Sequence, residues 1–251
     1  MTNPTSPGHA LVVGATSRTG REIAGRLFRE GWRLSLTARS MDRVTAVADS
    51  LRADQEVSGE VEGLFELDLV DGASIESFLA AWSPKSPLDL LVVAAAPFRE
   101  QGIDSWTMED FLEQSAAQSA GPALLAGGLK EPLSRSARVG GGAVVLFGDV
   151  HARMRPRGGA TPYLSGKAAV ESLVPILAIE MAPTRVFGIS PGVIAWADDF
   201  DSERRERYLE RVPLGRPGTV EEAASLVIAL VDSATYTTGI VIPIDGGRHL
   251  R

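Results

Sequence analysis

The sequence contains no cysteine, which excludes disulfide bonds, thiol catalysis and thiolate metal sites but identifies no cellular compartment. Lysine, tyrosine and histidine are also scarce, with three of each among 251 residues. The three histidines, His9, His151 and His249, are far apart in the chain and have no clustered partner ligands. Because metal sites need several donors close together, we expect no metal site.

Long apolar runs and tracts of positive charge are missing as well. There is no apolar run of about 18 residues and no apolar leader near the N-terminus, so neither membrane spanning nor secretion is expected. This leaves the cytoplasm as the expected location. The net charge is −7, and no Lys/Arg cluster follows a helix. We therefore expect no nucleic-acid partner and a small-molecule ligand.

No linker, repeat or low-complexity tract divides the chain. Residues 1–8 contain two prolines and one glycine and are predicted to be a disordered lead-in. The remaining residues, 9–251, are enough for one large domain with a substantial core. The sequence therefore predicts a single domain over 9–251.

Short apolar segments alternate with helical patterns along the whole domain. The predicted strands cover residues 10–13, 32–37, 61–67, 88–95, 143–147, 185–189 and 240–244. The predicted helices lie at 21–30, 41–53, within 107–128, 161–182 and 220–232. This alternation is typical of an α/β fold, a Rossmann-type doubly wound parallel sheet with helices on both faces. Such sheets bind their ligands at the carboxyl ends of the strands.

The first strand leads into the turn Gly14-Ala-Thr-Ser-Arg-Thr-Gly20, which precedes a helix. A tight glycine turn lets the backbone approach a pyrophosphate, and the helix N-terminus offers free N–H groups to it. Arg18 stands where a middle glycine is usual in the dinucleotide fingerprint. An ordinary connection between strand and helix is the alternative interpretation.

Two further strand ends bear on nucleotide binding. The second strand ends in Ala38-Arg39-Ser40 without a carboxylate, and an arginine there favours the 2′-phosphate of NADP. Arg39 is otherwise a solvated loop residue. After the third strand, Asp68 either accepts a hydrogen bond from an adenine amino group or caps the helix that begins near Gly72.

Tyr163 and Lys167 are four residues apart in a predicted helix, which places both side chains on one face. A neighbouring cation favours the phenolate and lowers the pKa of a tyrosine, so the pair is predicted to act as a general acid. The alternative is a packed tyrosine beside an exposed lysine.

Other candidates also follow strands. Ala94-Ala95-Ala96 leaves room for a ligand, and Phe98 either stacks on a flat ligand or packs within its loop. Asp149 follows the strand at 143–147, fourteen residues before Tyr163. Residues 193–212, with Trp196, Phe200 and Tyr208, form the least regular long segment and are a candidate substrate lid.

These features together resemble the short-chain dehydrogenase/reductase family over essentially the whole chain. The resemblance rests on the alternation, the glycine turn, Tyr163 with Lys167, Ser190-Pro-Gly192 and Asp245-Gly-Gly247. Within that family the chain is similar to the pteridine reductases, including the bacterial dihydromonapterin reductases. Arg18, Asp149 in place of a catalytic serine, Phe98 and the terminal Gly-Gly-Arg-His-Leu-Arg251 carry this narrower resemblance.

The resemblance implies an NADPH-dependent reductase that transfers a hydride to a C=N bond of a dihydropterin, assembled as a homotetramer. The implied catalytic residues are Asp149, Tyr163 and Lys167, and Arg18, Phe98, Asp149 and Tyr163 would bind the substrate. Asp149 would need to hold its proton in a dry pocket in order to donate it. The implied NADP(H) contacts are Gly14, Thr16, Ser17, Arg18, Thr19, Gly20, Arg39, Asp68, Leu69, Ala94, Ala95, Tyr163, Lys167, Pro191 and Gly192.

Three departures from the family pattern bear on this assignment. Ala94-Ala95-Ala96 replaces an Asn-Asn-Ala type of motif, Gln118 stands at the position of a catalytic helix asparagine, and the loop from Asp149 to Tyr163 is one residue longer. The longer loop predicts a displaced Asp149. The alternative function is reduction of a ketone or a 3-oxoacyl thioester, with Tyr163 alone protonating the oxygen. A non-catalytic NADP-binding sensor is a third hypothesis.

Overall fold

Seven parallel strands form one sheet in the order β3-β2-β1-β4-β5-β6-β7. The structure is a computed structural model that describes residues 8–53, 59–82, 87–95, 97–196 and 200–251. The strands are β1 (His9–Val13), β2 (Arg33–Ala38), β3 (Glu60–Glu66), β4 (Leu90–Val93), β5 (Ala143–Phe147), β6 (Arg185–Pro191) and β7 (Ile240–Ile244). The disordered lead-in predicted for 1–8 lies outside the described residues except for Gly8.

Helices cover both faces of the sheet. They are α1 (Arg18–Arg29), α2 (Met41–Arg52), α3 (Gly72–Ala81), α4 (Met108–Ser115), α5 (Gly121–Gly128), α6 (Lys130–Ser134), α7 (Thr161–Glu180), α8 (Ser202–Leu209) and α9 (Val220–Asp232). One apolar core lies between the sheet and α1, α2 and α9, and a second lies between the sheet and α3, α5 and α7. Alternate residues of a strand enter opposite cores, as Val12 and Leu11 do in β1. The predicted doubly wound α/β fold is confirmed.

The boundaries of β5, β7 and α9 agree with the predicted ones, whereas two helices are absent from the prediction. α6 has five residues, and α8 is rich in charged side chains with no buried residue. Neither segment has the apolar stripe by which a helix is recognised in a sequence. α7 ends at Glu180, two residues earlier than predicted and shortly before Pro183.

The long helix predicted within 107–128 consists of two α-helices joined by a π-helical segment, Ala116–Ala120. Pro122 has no N–H to donate, and the N–H of Gly121 donates to the carbonyl of Ala116, five residues back. Gly121 also lies against β3's exit loop, where an added Cβ atom would come 2.3 Å from the carbonyl oxygen of Leu69. The wide turn directs Gln118 into the interior, where it is 2% exposed.

The strand order places a topological switch point between β1 and β4. From β1 the chain builds outward through β2 and β3, and it then returns to the other side of β1 with β4. The connections that leave β1 and β4 therefore diverge at the carboxyl edge, where they open a crevice. Among the described residues, no helix combines the length and apolar character needed to cross a membrane.

Arg185 links this sheet to α9. It is the first residue of β6, and it is only 4% exposed. Its guanidinium donates to the carbonyl oxygens of Leu230, Val231 and Ala234 at the end of α9, at 2.9 to 3.1 Å, and to Gly141 at 3.2 Å. The Arg185 guanidinium thus links the end of α9 to the segment that precedes β5.

We expect Arg185→Met to lower the free energy of unfolding by on the order of 3 kcal/mol, because several buried carbonyl groups lose their donor. Arg33→Met is the matched control, since Arg33 also begins a strand but forms an exposed ion pair with Glu62 at 3.0 Å. That control should cost less than about 1 kcal/mol. Urea unfolding of both variants measures the difference. An equal decrease in the free energy of unfolding would show that the buried hydrogen bonds of Arg185 do not stabilise the protein.

Candidate active site

The turn after β1 is built for close backbone approach. Gly14 has φ +78°, and an added Cβ atom would lie 2.6 Å from that of Ala95. A Cβ atom on Gly20 would lie 2.3 Å from the carbonyl oxygen of Gly14. Ser17 caps α1 by accepting from the Gly20 N–H at 2.9 Å, and its hydroxyl donates to the Ala94 carbonyl at 3.0 Å. The turn, the start of α1 and the loop after β4 therefore form one tight cradle, which suits a pyrophosphate at the helix N-terminus.

A pocket of about 230 Å³ lies beside this cradle. Its lining includes the predicted nucleotide residues Gly14, Thr16, Ser17, Arg39, Asp68, Leu69 and Ala95. It also includes Arg43, which the sequence analysis did not identify. Arg43 lies in the first turn of α2, the helix that follows the strand end at Arg39, and its place beside that strand end was the available signal.

The two interpretations of Asp68 are resolved in part. α3 is capped by Asp71, whose side chain accepts from the Ala73 N–H at 2.9 Å. Asp68 instead accepts from the Val70 N–H at 3.0 Å, and it lines the nucleotide pocket. The helix-cap interpretation of Asp68 is therefore wrong.

Lys167 is a buried lysine held by the backbone. It is 3% exposed, and its Nζ donates to the Phe147 carbonyl at 2.6 Å. Burial lowers the pKa of Lys167 from 10.5 to about 8, because an ammonium loses its hydration inside the protein. The interpretation as an exposed lysine is excluded.

Tyr163 forms its hydrogen bond with a carboxylate, while Lys167 lies over its ring. Its hydroxyl donates to Asp149 Oδ2 at 3.3 Å, whereas Lys167 Nζ is 5.8 Å from the ring centroid. Burial raises the pKa of Tyr163, and the negative charge of Asp149 and the hydrogen bond to it raise it further. The pKa of Tyr163 is therefore raised, not lowered as predicted, because burial and the charge of Asp149 both disfavour the phenolate.

The longer loop does not separate Asp149 from Tyr163. Its Oδ1 accepts from the His151 N–H at 2.8 Å, while Oδ2 faces the tyrosine. The hydrogen bond from the His151 N–H orients the Asp149 carboxylate towards Tyr163 on α7. The displacement expected from the loop length is therefore not seen at the contact with Tyr163.

Phe98 packs edge to face against Tyr163, with ring centroids 5.0 Å apart. The ring is still 52% exposed. It lines a cavity of about 600 Å³, as do Arg18 and Asp149. The packing and ligand-stacking interpretations are thus compatible, since one side of the ring contacts Tyr163 while much of it is accessible.

A third pocket, of about 250 Å³, joins the other two. It contains Asp149, Tyr163 and Lys167, and its lining also includes Ser17, Arg18, Thr19, Ala94, Pro191 and Gly192. Ser17 also lines the nucleotide pocket, and Arg18, Thr19, Asp149 and Gly192 also line the 600 Å³ cavity. The predicted site residues therefore follow one groove along the carboxyl edge. Gly20 is buried beneath the turn and lines none of these three pockets.

The candidate lid covers one side of the large cavity. Trp196 packs on Phe200 and Tyr208, with ring centroids 5.4 and 5.7 Å apart. The Tyr208 hydroxyl accepts from the Val193 N–H at 3.0 Å, and Arg18 donates to the Trp196 carbonyl at 2.5 Å. Residues 197–199 of this segment, like Ala96, lie outside the described residues.

Gln118 lies deep beneath the catalytic groove. Its amide donates to Gln114 Oε1 at 3.2 Å, and it lines a space of only about 10 Å³ together with Lys167 and Phe147. Gln118, at the predicted position of the family asparagine, is thus close to Lys167. Its side chain, however, forms its hydrogen bond with Gln114, one turn earlier in the same helical segment.

The histidines each bond to another group. His9 bonds to Ser35, His151 to the Arg155 carbonyl and His249 to Asp245, at 2.8 to 2.9 Å. Within the part of the chain that the structure describes, no group of three His, Cys, Asp or Glu side chains could hold a metal ion.

The chain matches known proteins along nearly its whole length. Residues 14–249 match a family model described as enoyl-(acyl carrier protein) reductase. A putative ketoacyl reductase of the granaticin polyketide synthase from Streptomyces violaceoruber is 32% identical, and the match covers 96% of each chain. L-xylulose reductase from Bos taurus is 30% identical, with 95% of each chain covered. A 3-oxoacyl-(acyl-carrier-protein) reductase from Aquifex aeolicus strain VF5 is 29% identical, over 95% of this chain and 96% of the relative.

The fold is also found in a solved structure of a short-chain type dehydrogenase/reductase from Mycobacterium ulcerans. That structure has a TM-score of 0.85 at 23% identity, with 97% of this chain and 90% of the other covered. The chain belongs to the short-chain dehydrogenase/reductase family, whose members are oxidoreductases that bind nicotinamide cofactors.

The buried ammonium of Lys167 gives a prediction about stability. Its pKa is about 8 in the folded protein and near 10.5 when exposed, so the unfolded chain holds the proton more strongly. The charged lysine thus costs folding free energy below about pH 8, and the cost fades as the pH approaches 10.5. We expect the change in unfolding free energy produced by Lys167→Met to be more favourable at pH 7 than at pH 10.

Urea unfolding at the two pH values measures this difference. The matched control is Lys130→Met, because Lys130 is exposed and donates to the Glu180 carbonyl at 2.6 Å. The control should show no comparable dependence on pH. If Lys167→Met behaves in the same way as the control, the ammonium is not desolvated in the folded protein.

Proposed function

We propose that this protein is an NADPH-dependent reductase that converts the carbonyl group of a ketone or a 3-oxoacyl thioester to a hydroxyl group. The observation that carries the proposal is the position of the Tyr163 hydroxyl, in the pocket that joins the nucleotide groove to the 600 Å³ cavity. The names of the relatives, a ketoacyl reductase, a sugar reductase and a 3-oxoacyl reductase, support the same reaction class.

The residues present fit a nicotinamide dinucleotide. The cradle formed by Gly14, Ser17 and Gly20 leaves space only for backbone, and it opens on the N-terminus of α1. Arg39 and Arg43 line the far part of the nucleotide pocket with Asp68. When bound, such a cofactor supplies a hydride to the substrate. Two guanidinium groups favour the 2′-phosphate of NADP over the hydroxyl of NAD.

Tyr163 supplies the proton in this proposal. The carbonyl carbon gains a hydride, and its oxygen gains the proton from the Tyr163 hydroxyl, so the product is an alcohol. The substrate oxygen must first replace Asp149 Oδ2 as the acceptor of the tyrosine hydrogen bond. Because its pKa is raised, Tyr163 keeps its proton at neutral pH until negative charge develops on that oxygen. Lys167 places a cation behind the ring and favours the phenolate that is left.

Reduction of a C=N bond in a pterin is the second candidate, and one observation favours it. Asp149, a carboxylate in place of serine, contacts the catalytic tyrosine directly, and the half-exposed ring of Phe98 lies beside it. A pterin could stack on that ring while Tyr163 and Asp149 deliver a proton to the ring nitrogen. The homotetramer and the cytoplasmic location remain predictions.

Asp149→Asn separates the two candidates. For carbonyl reduction, removal of the negative charge lowers the pKa of Tyr163 and makes it a stronger acid. We therefore expect ketone or thioester turnover at pH 7 to be retained or to rise several-fold, and the pH–rate profile to shift to lower pH. For pterin reduction, the same substitution should abolish turnover because a proton donor is lost.

The measurement is the loss of NADPH absorbance with acetoacetyl thioesters, small ketones and 7,8-dihydropterins as substrates. Tyr163→Phe is the control, and it should reduce turnover of every substrate by about a hundredfold or more. Abolished thioester turnover in Asp149→Asn would contradict the proposed role of Tyr163 as sole acid. No NADPH consumption by the wild-type protein with any of these substrates would favour a non-catalytic sensor.

The choice of cofactor is tested at Arg39 and Arg43. We expect Arg39→Ala with Arg43→Ala to reduce the preference for NADPH over NADH, measured as the ratio of kcat/KM values, by about tenfold or more. The control is Arg52→Ala at the other end of α2, where Arg52 pairs with Asp49 at 3.3 Å. A double variant that keeps the wild-type ratio would remove the argument for NADP.

A further inference from the structure

The 600 Å³ cavity is strongly cationic. Arg155 and Arg157 reach it from the loop after β5, Arg211 from the segment after α8, and Arg248 from the last turn of the chain. Among the described residues that line the cavity, Asp149 is the one carboxylate. Because these arginines come from separate segments, their convergence on one cavity is not a solvated face of a single helix.

Two of the guanidinium groups are held close together. Arg155 Nε and an Arg248 terminal nitrogen donate to the same main-chain oxygen of Arg251, at 2.5 and 2.6 Å. Arg248 is 6% exposed, and its Nε is buried without a hydrogen-bond partner in the described part of the chain. Burial lowers the pKa of Arg248, and so do the charges of Arg155 and Arg211, while Tyr208 and Asp245 act in the opposite direction. The shared oxygen of Arg251 joins Arg155 and Arg248, whereas Arg211 adds a third positive charge near Arg248.

Structural contacts explain the positions of Arg155 and Arg248 but not that of Arg211, the third arginine of the cluster. Arg248 packs over the Tyr208 ring at 5.3 Å, and together with Arg155 it holds the last residue. Arg211 takes no part in that arrangement. Its side chain is exposed at the cavity, and no described residue accepts a hydrogen bond from its guanidinium. Two held guanidinium groups and one uncommitted one form an arrangement that suits an oxyanion.

The cluster lines the same cavity as Asp149, the carboxylate that accepts the hydrogen bond of Tyr163. The ring of Tyr208 stands between the catalytic side and the cluster, 6.2 Å from the His151 ring and 5.3 Å from the Arg248 guanidinium. The main-chain N–H of His151 donates to Asp149 Oδ1. A cavity of this size holds a small organic molecule, so one ligand can present a reacting group at one end and a charged group at the other.

We propose that the substrate of this protein carries a carboxylate or phosphate group, which Arg155, Arg211 and Arg248 bind while the reacting group lies at Tyr163. This inference rests on the proposed function for the reacting group, whereas the anion site itself rests on the arginines alone. A keto acid and a phosphate-bearing thioester share the chemistry that the cluster recognises.

Matched substrate pairs test the proposal. 5-Oxohexanoate is compared with its methyl ester, and acetoacetyl-coenzyme A is compared with acetoacetyl-N-acetylcysteamine. We expect the charged member of at least one pair to have a KM at least tenfold lower than the neutral member. A preference within the first pair assigns a carboxylate, and a preference within the second assigns a phosphate.

Arg211→Gln should reduce that KM ratio by about tenfold. Arg207→Gln is the matched control, because Arg207 lies on α8, pairs with Glu203 at 3.8 Å and does not line the cavity. The control should keep the wild-type ratio. Equal KM values within both pairs, or a ratio that Arg211→Gln leaves unchanged, would overturn the proposal.

Binding measured without turnover keeps this inference separate from the proposed function. Isothermal titration with glutarate and with inorganic phosphate should show binding of at least one, weakened about tenfold in Arg211→Gln and again in Arg155→Gln. Binding of this kind without reduction of any substrate would support the anion site and remove the proposed function. The anion site is overturned if neither probe binds to the wild-type protein. It is also overturned if both variants bind the probes as tightly as the wild-type protein does.

Discussion

The hydrogen bond between Tyr163 and Asp149 is the contact on which the chemistry of this site depends. It joins the face of α7 to the end of β5, and it places a negative charge 3.3 Å from the Tyr163 hydroxyl. Burial and this charge raise the pKa of Tyr163, so the acid releases its proton only to a strong acceptor. Lys167, held by the Phe147 carbonyl, balances that charge from behind the ring. In the proposed reaction, the Tyr163–Asp149 pair therefore sets which substrates can be protonated.

The fold opens a crevice beside this contact, at the switch point between β1 and β4. Gly14 and Gly20 keep the first turn tight, and Ser17 joins it to the loop after β4. The nucleotide pocket, the catalytic pocket and the large cavity then follow one edge of the sheet. A π-helical turn, imposed by Pro122 and by the close approach of Gly121 to Leu69, fills the space beneath Lys167 with Gln118.

The 600 Å³ cavity carries the opposite charge from the protein as a whole. The chain has a net charge of −7, yet its largest described site cavity is lined by several arginines and, among the described residues, by one aspartate. Such a local positive field concentrates anions and orients them. The two proposed reactions, reduction of a carbonyl group and reduction of a C=N bond, involve different reacting groups. An anion site is compatible with either group, because it acts on the distant end of the ligand.

The sequence by itself determined what depends on local periodicity. Apolar alternation predicted the doubly wound sheet, the spacing of four put Tyr163 and Lys167 on one face of α7, and the glycines marked the turn after β1. Only the tertiary structure decided which charges meet. It paired Tyr163 with Asp149 rather than with Lys167, gave the helix cap to Asp71 instead of Asp68, and gathered Arg155, Arg211 and Arg248. Electrostatic effects depend on distance in space, and these residues come from segments whose approach no local pattern records.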